Sequence, residues 1–241
     1  VDLADEWSLA QTIKNCECDA ILHLGAIAHP QSCNLNPKLA HKVNVEAVRV
    51  VSENAPSSCT VVFSSSVHVY GVPKNIPIRE EDHTNPVSLY GRLKLEAESY
   101  VLKHPRGIVA RAFHHTGPGQ RAGYLFPDWL EQSEPVKVGN IDLIRDFLDV
   151  RDVVQAYLVL SKQTTYQGIV NVCSGLGTSL TDVLKIMGIN RYVQSSKRMR
   201  SNDDKIIVGC NRKLKEMGWI QKYTLEDTIS HMKEHILTQQ S

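Results

Sequence analysis

Apolar positions recur along this chain with two periods. Trp7, Leu9, Ala10 and Ile13 fall at helical spacing within residues 6–15, which predicts a helix there. "AILHLGA" (20–26) is a short apolar run ending in small residues, the pattern of a buried strand. "LAHKVNVEAVRVVSEN" (39–54) returns to the helical period, and "TVVFSS" (60–65) is a β-branched buried strand. "GIVAR" (107–111) is a third strand, and between the last two Leu89, Leu93, Ala97, Tyr100 and Val101 make one helical stripe. Strands that alternate with helices predict a parallel sheet covered by helices on both faces. Beyond residue 113 the pattern loosens. "HHTGPGQRAG" is rich in Gly and Pro and predicts a loop. A helix at about 152–163, a strand "IVNV", a helix at about 178–187 and an amphipathic helix at 225–237 complete the pattern. No internal repeat or low-complexity linker interrupts it.

Composition narrows the function classes. Lys plus Arg number 27 and Asp plus Glu 26, for a net charge of +1, so no global field draws the chain to nucleic acid or a membrane surface. No apolar run approaches the roughly 20 residues of a membrane span, and there is no signal-peptide pattern. Of the six cysteines, Cys16 and Cys18 are too close for a zinc knuckle and no second pair complements them. Reduced thiols, a cytoplasmic setting and no metal are the expectation. The chain begins at Val1 rather than Met, which fits a piece of a longer protein better than a naturally short one.

The candidate chemistry starts at "SLYGRLK" (88–94), where Tyr90 stands four residues before Lys94. On a helix the two lie one turn apart on one face. An ammonium near the phenol lowers its pKa, and such a tyrosine can pass a proton to or from an alcohol oxygen. The same spacing also occurs as a solvated Lys beside a half-buried Tyr. "FSSSVHVYG" (63–71) changes the balance, because it ends a buried strand with three serines. Ligands of parallel α/β sheets sit at the C-terminal ends of the strands, so Ser66 can reach the same reacting oxygen as Tyr90. Its alternative is a turn or cap serine.

These residues resemble the extended short-chain dehydrogenase/reductases that act on nucleotide sugars, the NAD-dependent epimerase/dehydratase family. "VDLAD" resembles that family's adenine-contacting turn, at Asp2 and Leu3. "LHLGAIAH" resembles the strand end along the cofactor, Leu24, Gly25, Ala26 and Ala28, and "KVNVEAV" the helix with an internal Asn, Asn44. "RAFHHTGPGQ", "VGNIDLIRDFLDVRDVVQAY" (138–157), "VNVCSG" (170–175) and "RSNDD" (200–204) continue the likeness. Within the family the loop and the segment after it are similar to the GDP-4-dehydro-6-deoxy-D-mannose reductases. The resemblance implies a Rossmann-like α/β fold, a partial dinucleotide domain at 1–113, and a substrate lobe at 114–241 with returning sheet elements at about 138–175. It implies NAD or NADP as cofactor and hydride transfer to the C4 ketone of a nucleotide sugar. Ser66, Tyr90 and Lys94 would be catalytic, and Ser64, Phe113 and His115 would join the cofactor contacts. Ser66, His68, His114, Arg145, Arg200 and Asp203 would contact the substrate, the two arginines as planar forks for the diphosphate. Arg151 fits an Asp-rich packing network instead. A homodimer through helices at about 39–54 and 89–103 is also implied.

Several positions depart from the family's pattern. The Gly-rich turn that cradles a cofactor pyrophosphate at a helix N-terminus is not among the 241 residues, so the strand at 20–26 is expected at an exposed edge and cofactor binding is expected to be weak. The position two after Ser66, an acid in the family's dehydratases, is His68, which points away from dehydration. His68 could itself exchange protons near neutrality or simply line the substrate. His114 replaces the family's Asn. A 4-epimerase with bound NAD uses the same Ser, Tyr and Lys, and a non-catalytic nucleotide-sugar binder is a further alternative.

Overall fold

α1 (Glu6–Lys14) leads into β1 (Ala20–His23), and α2 (Pro30–Leu35), α3 (Pro37–His41), a π-helical turn at Lys42–Glu46 and α4 (Ala47–Asn54) lead to β2 (Thr60–Ser66). α5 (Leu89–Val101) precedes β3 (Gly107–Ala112), followed by β4 (His114–Thr116), α6 (Leu125–Leu130), β5 (Val136–Val138), β6 (Ile144–Asp149), α7 (Val150–Ser161) and β7 (Gly168–Val172). The last part holds β8 (Gly177–Ser179), α8 (Leu180–Ile186), β9 (Tyr192–Gln194), β10 (Ile206–Ile207), α9 (Arg212–Glu216) and α10 (Leu225–Gln240). This computed structural model describes residues 1–199 and 204–240.

The main sheet runs β1-β2-β3-β7 with every pair parallel. Side chains of successive residues leave a strand on opposite faces, and both faces are covered. Val61, Phe63 and Val109 meet Leu9, Val48, Val51, Ala97 and Val101 of α1, α4 and α5. Val62, Ile108, Ala110 and Val170 meet Val153, Ala156 and Leu160 of α7, with Leu214 and Trp219 beyond. Double coverage explains why these strands read as continuous apolar runs. Among the described residues β1 has no strand on its outer side, as the sequence anticipates.

A second sheet, β10-β6-β4 with β8 antiparallel to β6, belongs to the C-terminal part, as does the pair β5-β9. Phe126, Trp129, Val138, Leu184 and Ile229 form its core. Two expectations change here. His114–Thr116 is a strand rather than loop, because His114 pairs with Phe147 of β6, a partner too distant for local pattern to reveal. The helix expected over 39–54 is interrupted by the π-helical turn. That turn surrounds Asn44, whose side chain leaves the helix to bind elsewhere. Among the described residues no helix is long and apolar enough to cross a membrane.

Candidate active site

The C-terminal end of β2 meets α5, where Lys94 reaches Ser64 and Glu98 reaches Ser65. Ser88 caps that helix, its hydroxyl accepting from the Gly91 N–H at 3.0 Å, which fixes where the first turn begins. Gly91 permits the close approach that follows. A Cβ there would stand 2.6 Å from the His68 carbonyl oxygen and 3.0 Å from Pro86 Cβ. The lack of a side chain therefore lets α5 rest on the 3₁₀ turn Val67–Val69 that follows β2. Tyr90 is carried in beside Ser66, whose hydroxyl accepts the His68 N–H at 3.3 Å and favours the ionised form of the phenol. The His68 ring stands edge-on to the Tyr90 ring, 5.7 Å between centroids.

One turn on, Lys94 is buried, and its Nζ donates to the Ser64 carbonyl at 2.7 Å. The ammonium lies 4.6 Å from the centre of the Phe63 ring and 5.8 Å from that of Tyr90. Burial pushes the Lys94 pKa down to about 8, against the pull of Cys33 and Glu98. Burial also pushes the Tyr90 phenol up to about 12, with Ser66 pulling it down and Tyr157, Cys33 and Tyr124 pushing it up. The spacing alone predicts a phenol acidified by Lys94. In the structure desolvation outweighs any such effect, because both groups sit inside the fold rather than on a solvated helix face.

The strand-end surface is open beside this group. Leu24, Gly25 and Ala28 are exposed, and Ala26 is half-buried. Leu3 overlies Gly25, where an added Cβ would stand 2.5 Å from Leu3 Cδ1. Asp2 accepts the Ala4 N–H at 2.8 Å and is exposed. Asn44 fixes the stretch from behind, accepting the Ile27 N–H at 2.8 Å and donating to the Ile27 carbonyl at 3.0 Å. Ser64 shares a hydrogen bond with the Tyr157 hydroxyl at 2.8 Å. His23 ends β1 in the core, its Nε2 buried without a hydrogen-bond partner and its pKa lowered to about 4, first by burial and then by Lys94.

Not every residue singled out in the sequence reaches this surface. His115 is exposed, with Nδ1 3.0 Å from the Phe113 carbonyl. The Phe113 ring is in the core with Tyr70, Ile78 and Cys173, and its N–H is bonded to the Val172 carbonyl. Phe113 thus packs through its ring. His114, half-buried on β4, stands edge-on to Phe147 at 6.0 Å. Arg145 is buried on β6, where Nη1 donates to the Ile144 carbonyl at 2.9 Å. Arg200 and Asp203 lie outside the described residues. Arg151 pairs with Asp149 at 2.7 Å, as a packing network requires. Ser65, Glu98, Arg111 and Tyr157 also stand at these strand ends without a motif that marks them. Glu98 continues the four-residue step of Tyr90 and Lys94, but a helix carboxylate reads as surface until its partner is known.

A model of the NAD dependent epimerase/dehydratase family matches residues 1–173. The chain belongs to that family. It is 29% identical over 236 residues to a GDP-6-deoxy-D-mannose reductase of Pseudomonas aeruginosa, covering 88% of this chain and 78% of the relative. It is 25% identical to a rice protein named probable UDP-arabinose 4-epimerase 3, over 95% of this chain and 66% of the relative. Among solved structures, RMD from Pseudomonas aeruginosa complexed with NADPH superposes with a TM-score of 0.89 at 26% identity, covering 99% of this chain and 87% of that one. Members of the family are NAD(P)-dependent, and these relatives are named as a reductase and an epimerase of nucleotide sugars.

Proposed function

We propose that this chain is a nucleotide-sugar reductase that acts on the C4 ketone of GDP-4-dehydro-6-deoxy-D-mannose. The observation that carries the reading is the convergence of Ser66, Tyr90 and Lys94 at the end of β2. The phenol lies close enough to Ser66 to feel its hydroxyl, and the Lys94 ammonium is 5.8 Å from the centre of the Tyr90 ring. The likeness to the Pseudomonas aeruginosa reductase supplies the substrate.

The residues at the strand ends fit a nicotinamide dinucleotide. Lys94 Nζ has three donors and directs one to the Ser64 carbonyl, so it can hold ribose hydroxyls with the others. Leu24, Gly25 and Ala28 offer an exposed apolar surface just past β1, and His115 is exposed on β4. When bound, the cofactor supplies the hydride. Tyr90 gives its hydroxyl proton to the oxygen formed at C4. A phenol held up at about 12 is fully protonated before the reaction and matches a sugar alkoxide better than a strong acid would. Ser66 donates to the same oxygen and fixes its direction. His68, edge-on to Tyr90, borders the sugar. With valine and histidine in the two places after Ser66, no carboxylate stands there to drive loss of water.

A 4-epimerase is the second reading, favoured by the match to the rice protein over 95% of this chain. The test is incubation with the keto sugar and NADPH, following cofactor and sugar together. One NADPH oxidised per GDP-rhamnose formed supports the reductase. Interconversion of a nucleotide sugar without net cofactor use identifies the epimerase. Binding of GDP-sugar without turnover of either kind contradicts both.

A further inference from the structure

Glu98 lies one turn beyond Lys94 on α5 and is 2% exposed. Its carboxylate is fully engaged. Oε1 accepts from the Ser65 hydroxyl at 2.5 Å and from Arg111 Nε at 3.0 Å, and Oε2 accepts from Arg111 Nη2 at 2.7 Å. Ser65 and Arg111 are register partners across β2 and β3 and are both buried. The Arg111 guanidinium lies 4.7 Å from the centre of the Tyr70 ring, and Nη1 donates to the Glu80 carbonyl at 3.3 Å. One side chain of α5 thus ties two strands together at the point where each ends.

A buried ion pair is weak evidence for stability, since apolar side chains of similar volume often serve as well. What distinguishes this pair is where it is anchored. Ser65 lies between Ser64, whose carbonyl receives Lys94, and Ser66, which lies near enough to Tyr90 to influence its phenol. We propose that Glu98 is a positioning residue of the reaction, locking the Ser64–Ser66 strand end to the Tyr90–Lys94 helix through Ser65 and Arg111. The inference rests on the reductase reading. It has a second consequence that does not. The groups facing Lys94 are His23 from β1, Cys33 from α2, Phe63 and Ser64 from β2, and Tyr90 and Glu98 from α5 itself. Of these Glu98 is the carboxylate, so its charge opposes the loss of the Lys94 proton that burial favours.

Two variants of the full chain test this. In Glu98→Gln, the pH dependence of Lys94 acetylation by acetic anhydride, followed by mass spectrometry, reports the Lys94 proton without substrate. A midpoint at lower pH than wild type is expected. If the lone guanidinium prevents folding, Glu98→Gln/Arg111→Met is compared with Arg111→Met alone, so that only the carboxylate differs between the two. Ser65→Ala leaves the ion pair intact and removes only its tie to the strand. There kcat should fall roughly 10- to 100-fold, the cost of a small misplacement, with the sugar KM unchanged. An unmoved Lys94 midpoint in the folded variant, or wild-type kcat in Ser65→Ala even with lost thermal stability, overturns the proposal. If wild type itself does not reduce the keto sugar, the reductase reading fails while the Lys94 midpoint still decides whether Glu98 acts on that amine.

Discussion

Tyr90 and Lys94 each hold a charge state set mainly by burial, and each makes a separate prediction. Tyr90→Phe keeps the ring against His68 and removes the proton donor. Its kcat should drop roughly 10²- to 10⁴-fold with sugar affinity nearly unchanged, the worth of a positioned acid, as steady-state kinetics will measure. Lys94, lowered to about 8, should lose its proton as pH rises through that value. A rate that needs the ammonium then falls over the same range, and a profile flat well above it removes Lys94 from the working ionisations. His23 titrates on the other side of neutrality. Its folded pKa of about 4 lies below the ordinary 6.5, so between those values the unfolded chain binds the extra proton. Stability is fully present above the ordinary value and is lost as pH falls toward about 4. His23→Leu should flatten that slope in urea titrations taken across the window, whereas an unchanged slope would mean the acid sensitivity lies in other groups.

At the scale of elements, α5 matters most, and Gly91 is its test. Helix propensity alone makes Ala better than Gly by roughly 1 kcal/mol in a helix. The contact with the His68 carbonyl predicts the opposite sign, because backbone at 2.6 Å cannot yield cheaply. Gly91→Ala should destabilise by about 1–3 kcal/mol, as overpacking does, and slow turnover by moving Tyr90 away from Ser66. A stabilised, fully active variant in thermal melts and assays would show that α5 does not depend on this approach. Such a contact is invisible in a sequence, where Gly91 reads only as a weak helix residue. The same limit hid β4, whose partner Phe147 is far along the chain, and the break around Asn44, whose hydrogen bonds to Ile27 lie outside its own helix. β2, β3 and β7 were legible because burial on both faces leaves no polar positions to confuse the pattern. Glu98 and Arg111 were not, because charged residues in a helix and a strand read as surface until their pairing is seen.

For the whole molecule, the parallel order β1-β2-β3-β7 gathers the strand ends on one side of the sheet, where such folds bind ligands. The proposed trio Ser66, Tyr90 and Lys94 was legible through spacing and its place after a strand, and the family likeness suggested the proposed cofactor surface. The proposed diphosphate contacts were less so. Arg145 is held in β6, and its expected companion Arg200 lies outside the described residues. The 241 residues contain no Gly-rich turn beside β1, so NADPH titrated into this chain by calorimetry should bind weakly. A tight complex would mean that the strand ends suffice without backbone N–H groups for the pyrophosphate.

The central claim is that Tyr90, Ser66 and Lys94 reduce a nucleotide keto sugar. It is tested most directly by following NADPH oxidation with GDP-4-dehydro-6-deoxy-D-mannose, cofactor in excess, for wild type and Tyr90→Phe side by side. One NADPH should be consumed per sugar reduced by the wild type and nearly none by the variant. Equal rates for the two proteins, or a wild type that leaves both sugar and NADPH untouched, would contradict it.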